Sequence, residues 1–199
     1  CCNLNSYPKK YYQNIYEEIK NSYYGCGLVV PDYIEGCQIL DLGCGTGLDV
    51  YILSQMVGES GKVIGLDMTP EQLEVAIRLK SWHMDKFNFN QCNVEFIEGY
   101  IELLSDYQIP ESSLDVVVSN CVINLCLDKK KVFQEVFQAL KNGGEFYFSD
   151  VYCSRRVPSK LKENEVLWGE CLSGALYWND FENLVKECGF TDPRVVNFN

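Results

Sequence analysis

The sequence predicts an α/β fold with a doubly wound, mostly parallel sheet that carries helices on both faces. Short apolar segments alternate with segments of helical period along most of the 199 residues. One of them, LDVVVS at 114–119, is rich in valine, as a strand buried on both faces should be. A glycine-rich segment, 41–47, joins the first strand to a helix. Strands that alternate with helices in this way lie parallel in one sheet.

The first half of the chain predicts two helix-linked strands after an N-terminal helix. Residues 10–20 are expected to be helical because apolar side chains recur there at three- and four-residue spacing. A glycine-broken turn, YYGCGL, follows at 23–28. The first strand is QILDL (38–42), and a helix runs from Leu48 to about Val57. After the second strand, KVIGLD (62–67), Thr69 and Pro70 are expected to cap and begin the next helix.

The second half continues the alternation. Strands are predicted at 94–99, 114–119 and 145–150, and a helix at 129–140 is expected to stop at the segment Asn142-Gly143-Gly144. A last helix begins near Asn179 and ends at Gly189, and 194–199 reads as the start of a sixth strand. Residues 151–178 have no strand period and form an excursion after strand five. Ligands bind beyond the carboxyl ends of such strands, where this excursion lies.

Composition and charge exclude several function classes. The charge balance, 17 − 28 = −11, argues against a nucleic-acid partner, which needs a basic surface. No run of about 18 apolar residues is present, so no membrane span is expected. A single histidine excludes a multi-histidine metal site. The chain begins with Cys1 rather than Met, and we expect it to be a piece of a longer protein.

The cysteines favour a reducing compartment. Eleven cysteines in 199 residues are a smaller share than the ~8–10% that marks disulfide scaffolds. The sequence contains no CxxC pair, so a zinc site is not indicated. We therefore expect a cytoplasmic protein in which most cysteines are free, buried and without chemistry.

The segment DLGCGTG (41–47) is the strongest local motif. Its glycines allow a tight turn and a close approach to a ligand, and Asp67 follows Gly47 by 20 residues at the end of the next strand, where a carboxylate can bind ribose hydroxyls. Dinucleotide and S-adenosylmethionine sites share this layout. The acid Asp41 and the missing GxGxxG spacing favour S-adenosylmethionine. A dehydrogenase and a plain tight turn remain the alternatives.

Residues 25–150 thus resemble the class I S-adenosylmethionine-dependent methyltransferases, which have a Rossmann-like sheet. The resemblance implies that Asp67 holds the ribose, that Met68 packs on the adenine, and that Cys44 contributes through its backbone. The full set of implied cofactor-binding residues is Tyr24, Asp41, Gly43, Cys44, Gly45, Asp67, Met68, Gln72, Gly99, Tyr100, Ile101 and Asn120.

Three cysteines are expected near the reactive end of this cofactor. Cys26 lies ahead of strand one, Cys121 directly follows strand four, and Cys171 lies in the excursion after strand five. Convergent thiols without histidine suit a soft ion, and three thiolates match a trigonal pyramidal ion with a lone pair. Trivalent arsenic fits that description, whereas zinc would need a fourth ligand.

Four longer segments extend the likeness. YYGCGLVVP (23–31), SNCVINL (119–125), GGEFYFSDVY (143–152) and VLWGECLSGALYW (166–178) resemble the arsenite methyltransferases. The resemblance implies methyl transfer from S-adenosylmethionine to arsenic bound by Cys26, Cys121 and Cys171, with Glu170 near the metalloid. It also implies a fourth cysteine, Cys2 or alternatively Cys1, which forms a disulfide with Cys26 when arsenic is re-reduced by a thiol such as glutathione or thioredoxin.

The expected organisation is one structural domain with three regions. Residues 1–36 hold the N-terminal helix and cysteine-bearing turn, 37–150 the cofactor-binding core, and 151–199 the arsenic-site excursion, the last helix and the start of strand six. The sheet is expected to be truncated at its last strands, because class I methyltransferases usually finish it with an antiparallel pair after the fifth strand. The resemblance to the arsenite methyltransferases also implies a further C-terminal domain beyond this sequence. We expect a monomer at full length, acting on a small molecule or metalloid in detoxification. The alternatives are a methyltransferase with another acceptor and a non-catalytic thiol sensor of soft metals.

Overall fold

The computed structural model describes residues 8–23, 25, 32–191 and 193–195. A five-stranded sheet in the order β3-β2-β1-β4-β5 forms its centre, and every neighbouring pair is parallel. The strands are β1 (Gln38–Leu42), β2 (Lys62–Asp67), β3 (Val94–Glu98), β4 (Leu114–Asn120) and β5 (Leu140–Ser149). The predicted fold class is confirmed. Strand order reverses between β1 and β4, which is where ligands bind in such sheets.

Helices flank the sheet, and short ones surround the segments that follow β5. They are α1 (Lys9–Tyr12), α2 (Glu17–Asn21), α3 (Leu48–Val57), α4 (Pro70–Arg78), α5 (Lys80–Phe87), α6 (Lys129–Ala139), α7 (Ser159–Lys162), α8 (Glu165–Gly169) and α9 (Trp178–Glu187). No helix in the described ranges is both long and apolar enough to span a membrane.

Apolar side chains cover both faces of the sheet. On one face α3 is buried along nearly its whole length and packs with Ile39, Val63 and Val116. On the other face Leu40, Leu66 and Val117 pack with the buried side of α6. A third cluster, centred on Phe133 and Phe181, joins α6 to α9. Burial on both faces explains why the central strands are apolar and β-branched.

The N-terminal segment differs from the single helix predicted over 10–20. Two short helices, α1 and α2, are separated there, and the Tyr16 backbone N–H donates to His83 Nε2 at 3.2 Å instead of to a helical carbonyl. The predicted apolar face still holds, since Ile15 and Ile19 are buried. A tertiary hydrogen bond therefore interrupts a helix that local periodicity favours.

His83 packs in the core and also forms hydrogen bonds with the backbone of two segments. It is fully buried, its Nδ1 lies 2.9 Å from the Leu79 carbonyl oxygen, and its ring stacks on Tyr51 with centroids 3.7 Å apart. Because Nε2 accepts from Tyr16, the neutral imidazole carries its proton on Nδ1. Burial lowers the pKa of His83 to about 4.

Three further differences lie downstream. The helix predicted over 129–140 ends at Ala139, and the strand predicted over 145–150 begins already at Leu140, which pairs with Leu114 before an irregularity that precedes Glu145. The excursion, predicted without strands, contains a parallel pair, β6 (Tyr152–Cys153) and β7 (Leu176–Tyr177). The sixth strand is not seen at Arg194 and Val195, and the rest of that segment lies outside the described residues.

The junction at His83 gives a pH-dependent stability. Between pH 6.5 and about 4 the His83 imidazole is protonated in the unfolded chain but stays neutral in the folded one. The contribution of His83 to the free energy of unfolding is therefore fully present above pH 6.5 and is lost as the pH falls toward 4. We expect His83→Phe, which keeps a ring against Tyr51 but cannot titrate, to remove this component. The wild-type advantage in unfolding free energy, measured in urea, should shrink by about 2–3 kcal/mol between pH 7 and 4.5. A difference that stays constant over that range would contradict the assignment.

Candidate functional site

The glycine loop after β1 is tied to the end of β2. The N–H groups of Gly43 and Cys44 both donate to the Leu66 carbonyl oxygen, at 2.7 and 3.1 Å, and the Gly45 N–H donates to Asp67 Oδ2 at 2.8 Å. Gly43 has a φ of +71°, and a Cβ there would lie 2.4 Å from the Val122 side chain. Glycine is therefore required at 43 both for its backbone angle and for the close approach of Val122.

Asp67 holds three segments together. Its second carboxylate oxygen, Oδ1, accepts from the Thr69 N–H at 2.9 Å, and its carbonyl accepts from the Gly99 N–H at 2.9 Å. Two hydrogen bonds still leave lone pairs on the carboxylate, because an ionised carboxylate offers about four acceptor positions. Asp67 can thus organise the loop and also accept ligand hydroxyls.

Asp41 is a buried carboxyl group with an unused oxygen. It is 2% exposed, and its Oδ2 has no hydrogen-bond partner among the described residues. Burial, and next the nearby charges of Asp49 and Asp67, raise its pKa well above the usual range. An orphaned acid beside a glycine loop fits the cationic amino group of a methionyl ligand, because such a cation would satisfy both the hydrogen bond and the charge.

Asn120 connects β4 to the opposite side of the loop. Its side-chain amide donates to the Tyr23 hydroxyl at 2.8 Å and to Asp49 Oδ2 at 3.2 Å. Asp49 lies in the first turn of α3, which follows the glycine loop. Asn120, Asp49 and Asp41 thus converge where strand order reverses.

The predicted adenine-side residues lie along the same edge of the sheet. Met68 and Tyr100 follow β2 and β3 and are 61% and 56% exposed. Ile101 is buried, and Gly99 contacts the Tyr107 ring so closely that a Cβ there would lie 2.4 Å from it. The Gln72 side-chain oxygen covers Gly45, 2.7 Å from where a Cβ would stand. Exposed apolar side chains beside the Asp67 carboxylate suit an adenine ring.

Cys121 and Cys171 meet at this edge although 50 residues separate them. The Cys121 N–H donates to the Ser149 carbonyl at 2.8 Å, and the Cys171 thiol donates to the Cys121 carbonyl oxygen at 3.3 Å. Both residues have a left-handed backbone, with φ of +57° and +61°, and both are buried. Cysteine rarely adopts that conformation, and such strained residues concentrate at functional sites.

The two thiols differ in state. Cys121 is disulfide-bonded, whereas the seven other described cysteines, Cys171 included, are free. Burial, and next the charge of Asp150, raises the pKa of the Cys171 thiol to about 11, while the positive charge of Lys129 acts to lower it. At neutral pH Cys171 is therefore a protonated thiol, and Cys121 must be reduced before it can bind a ligand.

A polar network supports the two cysteine-bearing turns. The Asn124 side chain donates to the carbonyls of Val151 and Cys171, at 2.7 and 3.3 Å, and its backbone N–H donates to Asp150 Oδ2 at 2.9 Å. The Lys129 ammonium donates to the carbonyls of Asn124 and Cys126. Burial raises the pKa of Asp150 to about 6.

Several predicted site residues have a different outcome. Cys1, Cys2, Tyr24 and Cys26 lie outside the described residues, and in the described part no group of three or more His, Cys, Asp or Glu side chains could hold a metal ion. Glu170 is exposed at the C-cap of α8. Among the cysteines outside the predicted site, the Cys126 thiol donates to the Val122 carbonyl, and burial chiefly raises its pKa to about 12.

Sequence reasoning missed four polar residues of the site: Asp49, Asn124, Lys129 and Asp150. Asp49 carried a usable signal, because an acid in the first turn after a glycine loop faces the loop. Lys129 carried none, since lysine is almost always exposed. Its burial is visible only in the structure.

Comparison with known proteins agrees with this geometry. The profile of the family described as "Methyltransferase domain" matches residues 34–189. The chain belongs to this family. It is 53% identical over 193 residues to the arsenite methyltransferase of Rattus norvegicus, covering 97% of the chain and 52% of that protein. The arsenite methyltransferase of Homo sapiens is 54% identical over 187 residues, with 94% and 50% covered.

A solved structure gives the same likeness. The crystal structure of an arsenic(III) S-adenosylmethionine methyltransferase from Chlamydomonas reinhardtii superposes with a TM-score of 0.90 at 47% identity, covering 94% of this chain and 64% of that one. The predicted resemblance to the arsenite methyltransferases is confirmed. The chain spans about half the length of the curated relatives it matches.

Gly174 tests how tightly the Cys171 turn is packed. A Cβ at Gly174 would lie 1.8 Å from the Asn124 carbonyl oxygen. Because this oxygen belongs to the backbone, relieving the clash would require a shift of the main chain. We expect Gly174→Ala to destabilise the protein by about 2 kcal/mol or more, lowering Tm by roughly 4–8 °C. The matched control is Gly169→Ala, where a Cβ meets nothing within 4 Å and should change Tm little. Equal Tm values for the two variants would contradict this packing.

Proposed function

We propose that this chain transfers a methyl group from S-adenosylmethionine to trivalent arsenic bound by the thiolates of Cys26, Cys121 and Cys171, in detoxification. The observation that carries the proposal is the meeting of Cys171 with Cys121, 3.3 Å from thiol to carbonyl, at the edge of the sheet that bears the glycine loop. Similarity to proteins named arsenite methyltransferases supports the same reaction. The alternatives are another methyl acceptor and a non-catalytic sensor of soft metals.

The cofactor would be held by residues at four strand ends. Asp41 and Asn120 take the methionyl part, Asp67 the ribose, and Met68 and Tyr100 flank the adenine. When bound, S-adenosylmethionine supplies a sulfonium methyl group, whose carbon bonds to arsenic through the arsenic lone pair while the C–S electron pair stays on sulfur. The remaining proposed contacts come from Gly43, Cys44, Gly45, Gln72, Gly99 and Ile101.

The protein's own contribution to this step is position. Thiolates fix arsenic and leave its lone pair free, and orientation alone can lower a barrier by ~7–11 kcal/mol. No base is needed for binding, because arsenite carries hydroxyl groups: each protonated thiol that binds gives up its proton to a departing hydroxide as water. A protonated Cys171 is therefore a competent ligand for arsenic. The lone histidine, His83, is buried against Tyr51 and takes no part in this proton transfer.

Methylation raises the formal oxidation state of arsenic from III to V, so two electrons must return. We propose that Cys26 and Cys2, or alternatively Cys1, supply them by forming a disulfide, which glutathione or thioredoxin then reduces. Glu170 is proposed near the metalloid. A reducing cytoplasm suits these thiols, and we propose that a monomer acts there. The three regions 1–36, 37–150 and 151–199 are proposed to act as one domain.

Cys171→Ser is the decisive variant. Methylarsenicals formed from arsenite, S-adenosylmethionine and glutathione are measured by mass spectrometry, and we expect no product from Cys171→Ser because the hydroxyl is a poor ligand for a soft ion. The control is Cys92→Ser at an exposed cysteine, which should retain wild-type turnover.

The same assay separates the alternatives. Wild-type turnover in Cys171→Ser removes the arsenic assignment. Cofactor binding by the wild type without any methylarsenical points to another acceptor. A folded wild type that binds arsenite but not S-adenosylmethionine in calorimetry is a sensor.

The buried state of Asp41 predicts proton release on cofactor binding. Burial holds the pKa of Asp41 well above its usual range in the free protein, and the ligand's ammonium group would favour the ionised form, so binding should release protons and affinity should rise with pH. Calorimetry at one pH in buffers of different ionisation enthalpy should show net proton release on S-adenosylmethionine binding. Asp41→Asn controls for protons exchanged by the ligand and by other groups, and should release fewer protons than the wild type. The same count in both proteins would refute this account.

A further inference from the structure

The buried Lys129 is unexplained by the fold alone. It is the first residue of α6 and is 9% exposed, so its ammonium has lost most of its hydration. Such burial is costly unless the charge finds strong partners. Other lysines of the same helix behave ordinarily: Lys130 reaches solvent and pairs with Glu187 at 3.0 Å.

The partners of Lys129 belong to the two turns that carry the thiols. Its ammonium donates to the Cys126 carbonyl at 2.8 Å and to the Asn124 carbonyl at 3.3 Å, both in the turn that follows Cys121. It also lies over the Trp168 ring, 5.5 Å from the centroid, and the Trp168 carbonyl accepts from the Cys171 N–H at 2.9 Å. One cation thus contacts the segments on either side of the site.

Asn124 extends this contact to Cys171 itself. The Asn124 backbone carbonyl accepts from the Lys129 ammonium, and the Asn124 side-chain amide donates to the Cys171 carbonyl at 3.3 Å. Gly174 lies against the Asn124 carbonyl, and a Cβ at Gly174 would be 3.4 Å from the Lys129 ammonium. The chain on both sides of Cys171 is therefore packed around this pair.

The left-handed backbone of both cysteines explains why such support is needed. Residues other than glycine hold that conformation at a cost of about 1–3 kcal/mol, and they persist where the surroundings over-determine them. Cys121 and Cys171, with φ of +57° and +61°, lie at the two turns that Lys129 and Asn124 bind. We call these contacts of Lys129 and Asn124 the Lys129–Asn124 clamp. Without this clamp each turn would be free to relax and move its thiol.

We propose that Lys129 is a positioning residue that holds the Cys121 and Cys171 turns in the geometry that binds trivalent arsenic. The inference rests on the proposed function, because arsenite is taken as the ligand of these thiols. Lys129 touches neither arsenic nor cofactor in this role. Its effect is expected on arsenite affinity and not on S-adenosylmethionine affinity, since its contacts lie in the thiol-bearing turns.

The test is arsenite binding to the reduced full chain, followed by tryptophan fluorescence, beside calorimetric S-adenosylmethionine binding. We expect Lys129→Met to weaken arsenite binding at least ten-fold and to leave cofactor affinity within two-fold of wild type. Lys129→Gln, whose amide NH2 group still donates hydrogen bonds but carries no charge, is the milder change should Lys129→Met not fold, and it should weaken arsenite binding several-fold. Lys129→Arg should restore most of the affinity. The matched control, Lys130→Met, should bind both ligands as the wild type does.

Three results would overturn the inference. Wild-type arsenite affinity in the folded Lys129 variants would do so while leaving the proposed function intact. An equal loss of arsenite and cofactor affinity would assign Lys129 to general stability. A reduced wild type that fails to bind arsenite at all would remove the proposed function and this inference together.

Discussion

The Asp67 carboxylate is the interaction on which the cofactor side of the site depends. One oxygen takes the Gly45 N–H of the loop after β1, the other takes the Thr69 N–H that begins α4, and the residue's carbonyl takes the Gly99 N–H after β3. Charge-assisted bonds of this kind are stronger than neutral ones. Three consecutive strand ends are thereby fixed to one residue.

That arrangement gathers three carboxyl groups where the ammonium group of the proposed cofactor would lie. Burial, and next the charges of Asp49 and Asp67, raise the pKa of Asp41 well above its usual range, and its Oδ2 has no hydrogen-bond partner among the described residues. An isolated buried carboxylate is unfavourable, but a cationic ligand reverses the balance because it replaces both lost water and lost charge. If the cofactor binds as proposed, its affinity and the protonation of Asp41 are linked.

Much of this could be predicted from the sequence because the responsible patterns are local. The five strands, the glycine loop and the acid at Asp67 each follow from short segments whose periodicity or residue type is distinctive. The break between α1 and α2 and the early start of β5 could not be predicted, since both depend on partners distant in sequence, His83 and Leu114. The support of the thiol turns was missed for the same reason: nothing local marks Lys129 as buried.

The thiol side and the cofactor side are joined by direct packing. Val122 follows Cys121 and fills the space that a side chain at Gly43 would take, with its Cγ2 2.4 Å from that Cβ position. The Gly43 backbone and the Val122 side chain therefore limit each other's position. Close-packed contacts of this kind transmit small displacements because they have no free volume to absorb them. Methyl donor and acceptor sites built on these two turns would hold their separation through the Val122–Gly43 contact on one side and the Lys129–Asn124 clamp on the other.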